Sequence, residues 1–175
     1  AVHSGSRNIG LAVAKHYQKL AEKKVAEHNR KVLHEEIQKI EPAKREAWLN
    51  EHKISVATDL SYLTGQDMQD YLHDVAIMQE FANQNRFTML NTIITNMGGK
   101  ILEHIESVHN YIDIDSMILR KGAISAKNGE ILVIPLNMRD GILLCEGKGN
   151  TEWNCSAPHG AGRLYSRSKA KELFS

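Results

Sequence analysis

The sequence has few cysteines, no long apolar run and almost no net charge, and each absence excludes a class of protein. Its two cysteines, Cys145 and Cys155, lack CxxC spacing. Since there is also no secretory leader and no apolar run of membrane length, we expect a cytoplasmic protein with no membrane attachment. The 22 Lys and Arg residues nearly balance the 21 Asp and Glu residues. Any site for a polyanion must therefore come from local clustering, and the basic residues of the tail, 163–171, form one such cluster.

Apolar periodicity predicts a helical first half. Apolar residues recur three and four positions apart through residues 10–41, so we expect one long helix whose second half is mostly charged. Pro42 should end that helix, and a further helix is expected over residues 43–52. Helical periodicity returns over residues 66–105 and is broken near residues 97–99.

From residue 111 the pattern changes to short β-rich runs separated by glycine loops. Asn128 and Gly129 predict a hairpin turn, and residues 139–141 predict a second one. Helices followed by strands favour an α+β fold over an alternating parallel sheet. We therefore expect one domain over residues 1–175.

Two histidines lie in polar stretches outside the predicted helices. His3 opens "HSGSR", where the imidazole could bind a metal ion while Arg7 faces an anion, although an ordinary turn with an exposed histidine explains the pattern too. His109 is followed by Asn110 at the change from helical to β character. There the imidazole could bind metal and the amide a phosphate oxygen, or the histidine could be a capping or core residue.

The stretch "SAPHGAGR" is the strongest candidate for chemistry. Gly160 and Gly162 would let the backbone approach a ligand closely. The guanidinium of Arg163 could make a bidentate contact to phosphate, and His159 could attack phosphorus. A structural turn explains the same residues equally well. Arg120 and Lys121, just before another glycine, indicate either charge on an edge strand or a phosphate contact. A Walker A loop at "GKGN" is excluded, because the frame of that motif is absent.

Six motifs together resemble the RNA-splicing ligase family usually called RtcB. They are, in order, "HSGSR" at 3–7, "FANQNR" at 81–86, "HNY" at 109–111, "RKGA" at 120–123, "GKGN" at 147–150 and "SAPHGAGRLYSRSKA" at 156–170. The resemblance covers essentially the whole chain. It implies an enzyme that joins an RNA 3'-phosphate or 2',3'-cyclic phosphate end to a 5'-hydroxyl end, using GTP and manganese.

The resemblance also implies roles for single residues. His159 would take GMP from GTP, and Arg163 would balance phosphate charge. Gly160, Ala161 and Gly162 would lie along the nucleotide. The remaining carried-over residues are the metal ligands His3 and His109 and the guanylate contact Asn110. The resemblance also implies a helical region at 10–105, followed by a β-rich region at about 111–163 that binds nucleotide and metal.

The loop "IPLNMRDG" departs from the "IPGSMG" common in the family. We expect it to contribute to the nucleotide site through Pro135, Leu136, Asn137, Met138 and Ile142. Pro135 and Met138 fit the family pattern, whereas Leu136 and Asn137 do not, and Ile142 replaces a common serine. Further family ligands would precede residue 1, and a guanylate-binding lysine would follow residue 175. We therefore expect the 175 residues alone to be inactive.

Two alternatives stay open at this point. The chain could be an inert RtcB-like scaffold that binds a protein partner through the charged helix at residues 22–41. It could also transfer a nucleotide to a DNA 3'-phosphate or to damaged RNA ends, since the sequence carries no recognisable reader of the 2'-hydroxyl. The resemblance is further compatible with an activating protein partner.

Overall fold

The structure, a computed structural model, describes residues 1–51, 60–162 and 165–174. The chain divides into two compact units, Ala1–Thr92 and Ile93–Ser175. Helices make up most of the first unit, and the strands of the described residues all lie in the second, so the predicted α+β class is confirmed. Among the described residues, no helix has both the length and the apolar character that a membrane span requires.

The first unit is built on two long helices. Its elements are α1 (Arg7–Gln38), a 3₁₀ turn (Pro42–Lys44), α2 (Arg45–Glu51) and α3 (Gly65–Asn96). The predicted interruption at Pro42 is confirmed, because proline lacks an amide donor and is tolerated at a helix start. The helix predicted over residues 43–52 forms as the 3₁₀ turn and α2, and its last residue, His52, lies outside the described residues.

Polar side chains and small residues join α1 to α3. The Tyr17 hydroxyl donates a 2.8 Å hydrogen bond to Asp74, and the Lys24 ammonium lies 2.6 Å from an oxygen of Asp67. The hydrogen bond to Asp74, together with burial, raises the pKa of Tyr17 to about 12. Tyr17 and Ala21 are the buried residues of α1, and they define the side of α1 that packs on its neighbour.

The third helix ends earlier than its periodicity suggested. The sequence predicted a break near residues 97–99 and helix up to residue 105, but α3 ends at Asn96 and does not resume. The amide of Gly99 donates to the carbonyl of Ile94 at 2.9 Å, and that of Gly98 donates to Thr95 at 2.9 Å. These two bonds form a Schellman motif, which satisfies the last carbonyl groups and stops the helix.

The second unit contains three pairs of antiparallel strands. In chain order the strands are β1 (Tyr111–Asp113), β2 (Ile118–Arg120), β3 (Ala123–Ser125), β4 (Ile131–Asn137), β5 (Gly141–Glu146) and β6 (Ser156–Pro158). β1 pairs with β2, β3 with β6, and β4 with β5. A second 3₁₀ turn (Thr151–Trp153) precedes β6, and a short helix, α4 (Arg167–Phe174), follows it.

The two predicted turns have different outcomes. The turn at residues 139–141 joins β4 to β5 and is confirmed. At Asn128 and Gly129 a turn does form, closed by the Glu130 amide, which donates to the Lys127 carbonyl at 3.0 Å, but the predicted hairpin is wrong, because β3 pairs with the distant β6 instead of with β4. Glu130 explains this local structure, since its carboxylate accepts hydrogen bonds from the Ser125 hydroxyl at 2.6 Å and the Lys127 amide at 2.8 Å. These contacts close a loop in place of a two-stranded ladder.

A small apolar core ties β3 to the strands on either side of it. Its buried members are Ile124, Ala126 and Leu132, and the partly buried residues packed against them are Ile134, Cys145 and Ala157. Because β3 and β6 both contribute to this core, the chain on either side of these strands is held in a fixed position. The residues at the ends of β3 and β6 form the site described next.

Candidate active site

Three of the sequence motifs meet at one glycine, Gly122. Gly122 comes directly before β3, His159 comes directly after β6, and the pairing of Ala123 with Pro158 places the two residues opposite each other. Nδ1 of His159 donates a 2.7 Å hydrogen bond to the carbonyl of Gly122. The amide of Gly122 donates in turn to Oδ1 of Asn110 at 2.8 Å. Both backbone groups of this glycine therefore connect Asn110 to His159.

The backbone at position 122 explains why a glycine stands there. Gly122 has a φ of +68°, a conformation that residues with a side chain adopt at a cost. A Cβ atom at this position would lie 3.6 Å from Cε1 of His159, an ordinary van der Waals contact, so the constraint comes from the backbone conformation. The turn that presents the Gly122 carbonyl to His159 thus depends on a residue without a side chain.

The hydrogen bond to Gly122 determines which nitrogen of His159 can react. A carbonyl oxygen only accepts hydrogen bonds, so Nδ1 of His159 must carry the proton. In the neutral ring the lone pair then lies on Nε2. Because His159 is exposed, Nε2 can reach a ligand from solvent.

His109 lies next to His159. The centroids of the two imidazole rings are 4.8 Å apart, and the ring planes are tilted by 34°. His109 is half-buried, and its Nδ1 is shielded from solvent. The structure therefore brings together three of the predicted site residues, His109, Asn110 and His159.

The segment after His159 runs beside β4. The amide of Ala161 donates to the carbonyl of Pro135 at 3.3 Å. A Cβ atom on Gly160 would lie only 3.1 Å from the same oxygen, so a larger residue would push the two segments apart. Gly162 is exposed, and Arg163 lies outside the described residues. Gly160 and Ala161 thus join the same cluster as His159.

The predicted nucleotide loop is the β4–β5 hairpin, and Pro135 of that hairpin contacts this cluster. Pro135 pairs with Ile142 across the hairpin, and the register shifts between Pro135 and Asn137, so Leu136 forms a bulge. Ile142 is about half exposed and Leu136 is partly buried. Pro135 therefore contacts the histidine segment directly, through its carbonyl group.

The tip of the hairpin is closed by its own side chains. Oδ1 of Asn137 accepts hydrogen bonds from the amides of Arg139 and Asp140, both at 2.9 Å, and Nδ2 of Asn137 donates to Asp140 at 2.7 Å. Hydrogen bonds from Arg139 and Asn137 lower the pKa of Asp140. Met138 is fully exposed at the tip. The side chain of Asn137 is thus engaged within the turn.

A buried arginine anchors the strand that leads to His159. Arg120 is 2% exposed and donates to Asp113 at 2.9 Å, to the Ser156 hydroxyl at 3.1 Å, to the Asn154 carbonyl at 3.0 Å and to the Tyr111 hydroxyl at 3.3 Å. The expectation of edge-strand charge or a phosphate contact at Arg120 is wrong, because its guanidinium is enclosed by protein acceptors. The sequence pattern missed this role, because Arg120 and its exposed neighbour Lys121 are both basic and nothing in the pattern shows that only the arginine is buried.

Asp113 completes the buried ion pair. Burial alone would raise the pKa of this carboxyl, but hydrogen bonds from Arg120 and Ser116 outweigh burial and lower the pKa to about 2. Lys127 adds a second positive charge 3.4 Å away. The network therefore joins β1 and β2 to the start of β6, three residues before His159.

His3 lies in the first unit, in a loop held by α3. Nδ2 of Asn85 donates to the Ser4 hydroxyl at 3.3 Å and to the Gly5 carbonyl at 3.2 Å, and Arg86 donates to the Ser4 carbonyl at 3.1 Å. Asn85 and Arg86 belong to the "FANQNR" motif, so two of the six motifs contact each other. His3 itself is exposed. The pattern indicated both motifs but not their contact.

The predicted metal ligands do not make a complete site. Across the described ranges, no three His, Cys, Asp or Glu side chains group closely enough to hold a metal ion. His3 belongs to the first unit and His109 to the second. Two imidazoles are fewer than the three protein ligands of a typical catalytic metal centre. The described residues therefore contain no complete set of ligands for a metal ion.

Comparison with known proteins identifies the family. The sequence profile described as "tRNA-splicing ligase RtcB" matches residues 1–175. Two curated relatives from two strains of Escherichia coli, "RNA-splicing ligase RtcB" and "RNA-splicing ligase RtcB1", are each 33% identical over 193 aligned positions, which cover 99% of this chain and 42% of the relative. No solved structure matches the chain. The chain therefore belongs to the RtcB family, and it spans about two fifths of the length of these relatives.

Proposed function

We propose that this chain is the part of a GTP-dependent RNA ligase that carries the nucleophile, and that the nucleophile is His159. The substrates would be an RNA end with a 3'-phosphate or 2',3'-cyclic phosphate and an RNA end with a 5'-hydroxyl. Membership of the RtcB family supports this proposal, as do the names of the two relatives. The single observation that carries it is the hydrogen bond from Nδ1 of His159 to the carbonyl of Gly122.

That hydrogen bond suits the first chemical step. Nε2 of His159 would attack the α-phosphorus of GTP, so that an N–P bond forms, the bond to the β-phosphate breaks and pyrophosphate leaves. Positive charge develops on the imidazole as Nε2 bonds, and the Gly122 carbonyl stabilises that charge at Nδ1. Asn110 holds the Gly122 amide and so keeps the carbonyl in place.

Two further steps would complete the ligation. An oxygen of the RNA 3'-phosphate attacks the histidine-bound phosphorus, which breaks the N–P bond and leaves GMP on the RNA end. The 5'-hydroxyl then attacks the activated 3'-phosphate, forms the phosphodiester and releases GMP. A cyclic phosphate must first be opened by water to a 3'-phosphate.

The other predicted residues would position the nucleotide. Asn110 could contact the guanylate through Nδ2, since Oδ1 is engaged with Gly122. The expected neighbours of the nucleotide are Pro135, Leu136, Asn137, Met138, Ile142, Gly160, Ala161 and Gly162, and Arg163 would offset phosphate charge. Manganese would draw charge from the phosphates when bound, and His3 and His109 are the residues of this chain that we propose as metal ligands.

Mass spectrometry of the full-length protein that contains these residues tests the proposal. After incubation with GTP and manganese, the wild type should gain the mass of one GMP, and the adduct should be labile to acid as a phosphoramidate is. The variant His159→Ala should gain nothing, whereas His28→Ala, which removes an exposed histidine of α1, should behave as the wild type. An unmodified wild type would contradict the proposal and favour the inert scaffold.

A further inference from the structure

The first half of α1 carries a row of lysines on the side opposite its packed side. Tyr17 faces α3 through its bond to Asp74. At 3.6 residues per turn, Lys15, Lys19 and Lys23 lie about 120° to 160° around the helix from Tyr17. All three are exposed. These three lysines are called the cationic ridge below.

The cationic ridge does not stabilise the helix that bears it. Lys15 and Lys19, and again Lys19 and Lys23, are like charges four residues apart, an arrangement that destabilises a helix. Lys23 has an acidic neighbour in Glu27, but at 3.9 Å and with both side chains more than half exposed this pair contributes little. Within the described part of the chain, no salt bridge reaches Lys15 or Lys19.

Other lysines of the same unit are paired differently. Lys24, the direct neighbour of Lys23, lies 2.6 Å from Asp67 of α3, and Lys39 lies 2.6 Å from Glu36. Those lysines have a partner within the fold. The charge of the cationic ridge therefore remains available to a partner outside the unit.

The spacing of the ridge indicates what kind of partner it fits. Successive lysines are about 6 Å apart along the helix axis, and the three span about 12 Å. Lysine is a compact point charge on a flexible stem, which suits contact with phosphates without reading a sequence. The same side of α1 carries Ala12, Ala26 and one acidic residue, Glu22, whose carboxylate accepts a hydrogen bond from Gln18. It carries no aromatic residue of the kind that anchors a typical protein-binding surface.

We infer that the cationic ridge binds the phosphate backbone of a single-stranded RNA, which adds a substrate-binding surface to the proposed function and rests on it. The sequence pattern placed local positive charge in the tail and missed this surface. The net charge of +1 conceals it, because acidic residues elsewhere balance the lysines. Projecting the sequence of α1 onto a helix is enough to find it.

Fluorescence anisotropy with a labelled single-stranded RNA bearing a 3'-phosphate tests the inference on the full-length protein. Binding is measured over a range of salt concentrations for the wild type and for the triple variant Lys15→Gln, Lys19→Gln and Lys23→Gln. At about 0.7 per phosphate contact, the slope of log Kd against log salt should fall by about 2. The triple variant should bind about tenfold more weakly at low salt, and the difference should shrink as salt rises.

Matched variants separate the ridge from general charge effects. The triple variant Lys31→Gln, Lys39→Gln and Lys44→Gln removes the same charge from the same unit, and it should keep the wild-type slope. Equal slopes for the two triple variants would overturn the inference, and an acidic protein would then be the better partner. Replacing the ridge lysines with arginine should preserve binding, and thermal unfolding should show the glutamine variant to be no less stable than the wild type.

Measuring the GMP adduct on the same proteins tests the proposed nucleophile, His159, separately from RNA binding by the cationic ridge. An adduct on the ridge variant together with lost RNA affinity supports both. An adduct with unchanged affinity overturns the ridge alone. No adduct on the wild type, with the slope still reduced in the ridge variant, overturns the nucleophile and leaves the ridge standing.

Discussion

The two units of the chain use their charged side chains in opposite ways. In the second unit Arg120 and Asp113 are 2% and 8% exposed and lie 2.9 Å apart, and polar groups of β1, β6 and the neighbouring loops bond to them. In the first unit the lysines of the cationic ridge project into solvent, and two of them form no salt bridge within the described residues. The buried pair holds the fold in place, whereas the exposed row is available for binding.

The difference shows which charged residues constrain the site. A buried ion pair is costly to form, and it persists only where geometry and further hydrogen bonds compensate for lost hydration. Arg120 meets that condition with four acceptors, two of which lie at or just before β6. Since His159 directly follows β6, the network holds the strand that leads to the proposed nucleophile.

The largest effect is expected on removing the guanidinium of Arg120. Arg120→Met would leave Asp113 buried with only Lys127 nearby, and should lower the free energy of unfolding by about 3 kcal/mol. Urea unfolding of the full-length protein measures this change. Without Arg120, β6 and the following His159 should also be held less firmly, so formation of the GMP adduct should slow.

Lys121, the neighbour of Arg120, provides the control for Arg120→Met. Lys121 is exposed and follows Arg120 directly, so Lys121→Met removes one positive charge without opening the network. If the two variants unfold at the same urea concentration, Arg120 does not anchor β6. The double variant Arg120→Met with Asp113→Leu should regain part of the lost stability, because it removes the unpaired buried charge as well.

A smaller effect, on the pH dependence of the free energy of unfolding, is expected from Asp113. Its pKa is lowered from 3.8 to about 2 in the folded protein. A lowered pKa means that the folded state favours the charged form, which contributes about 2 kcal/mol of stability above the unfolded pKa. That contribution should be lost as the pH falls from about 4 to about 2.

Urea unfolding at a series of acidic pH values measures this loss. Asp113→Asn should flatten the pH dependence in that window, whereas Asp115→Asn, which changes an exposed carboxyl, should leave it as in the wild type. A wild-type pH dependence retained in Asp113→Asn would mean that other carboxyls account for it.

Local features of the fold were predictable, and non-local ones were not. The periodicity of α1 and the proline after it located that helix to within a few residues. The pairing of β3 with β6 joins residues about thirty positions apart, and no local turn signal reports it. Asn128 and Gly129 were misread for that reason, since a turn dipeptide indicates a bend but does not identify the strands that pair.

In the candidate site, too, local features were predictable and non-local contacts were not. Each motif was visible in the sequence, including His159 and Asn110. Their convergence on Gly122 depends on two backbone hydrogen-bonding groups of a residue that the sequence does not distinguish from other glycines. The burial of Arg120 likewise depends on acceptors from distant segments, and a pattern of charges cannot show it.

The smallest expected effect is a gain in the free energy of unfolding when a lysine of the cationic ridge loses its charge. Lys19 takes part in both like-charge pairs of the cationic ridge, so Lys19→Gln should raise the free energy of unfolding by about 0.2–0.5 kcal/mol for each pair relieved. Thermal or urea unfolding at low salt measures the gain, and added salt should reduce it. Lys24→Gln is the contrasting change, because it breaks the pair with Asp67 and should lower stability. A loss of stability in Lys19→Gln would mean that the ridge serves the fold. A gain, together with weaker RNA binding, would mean that α1 tolerates repulsion between its lysines because those lysines bind phosphate.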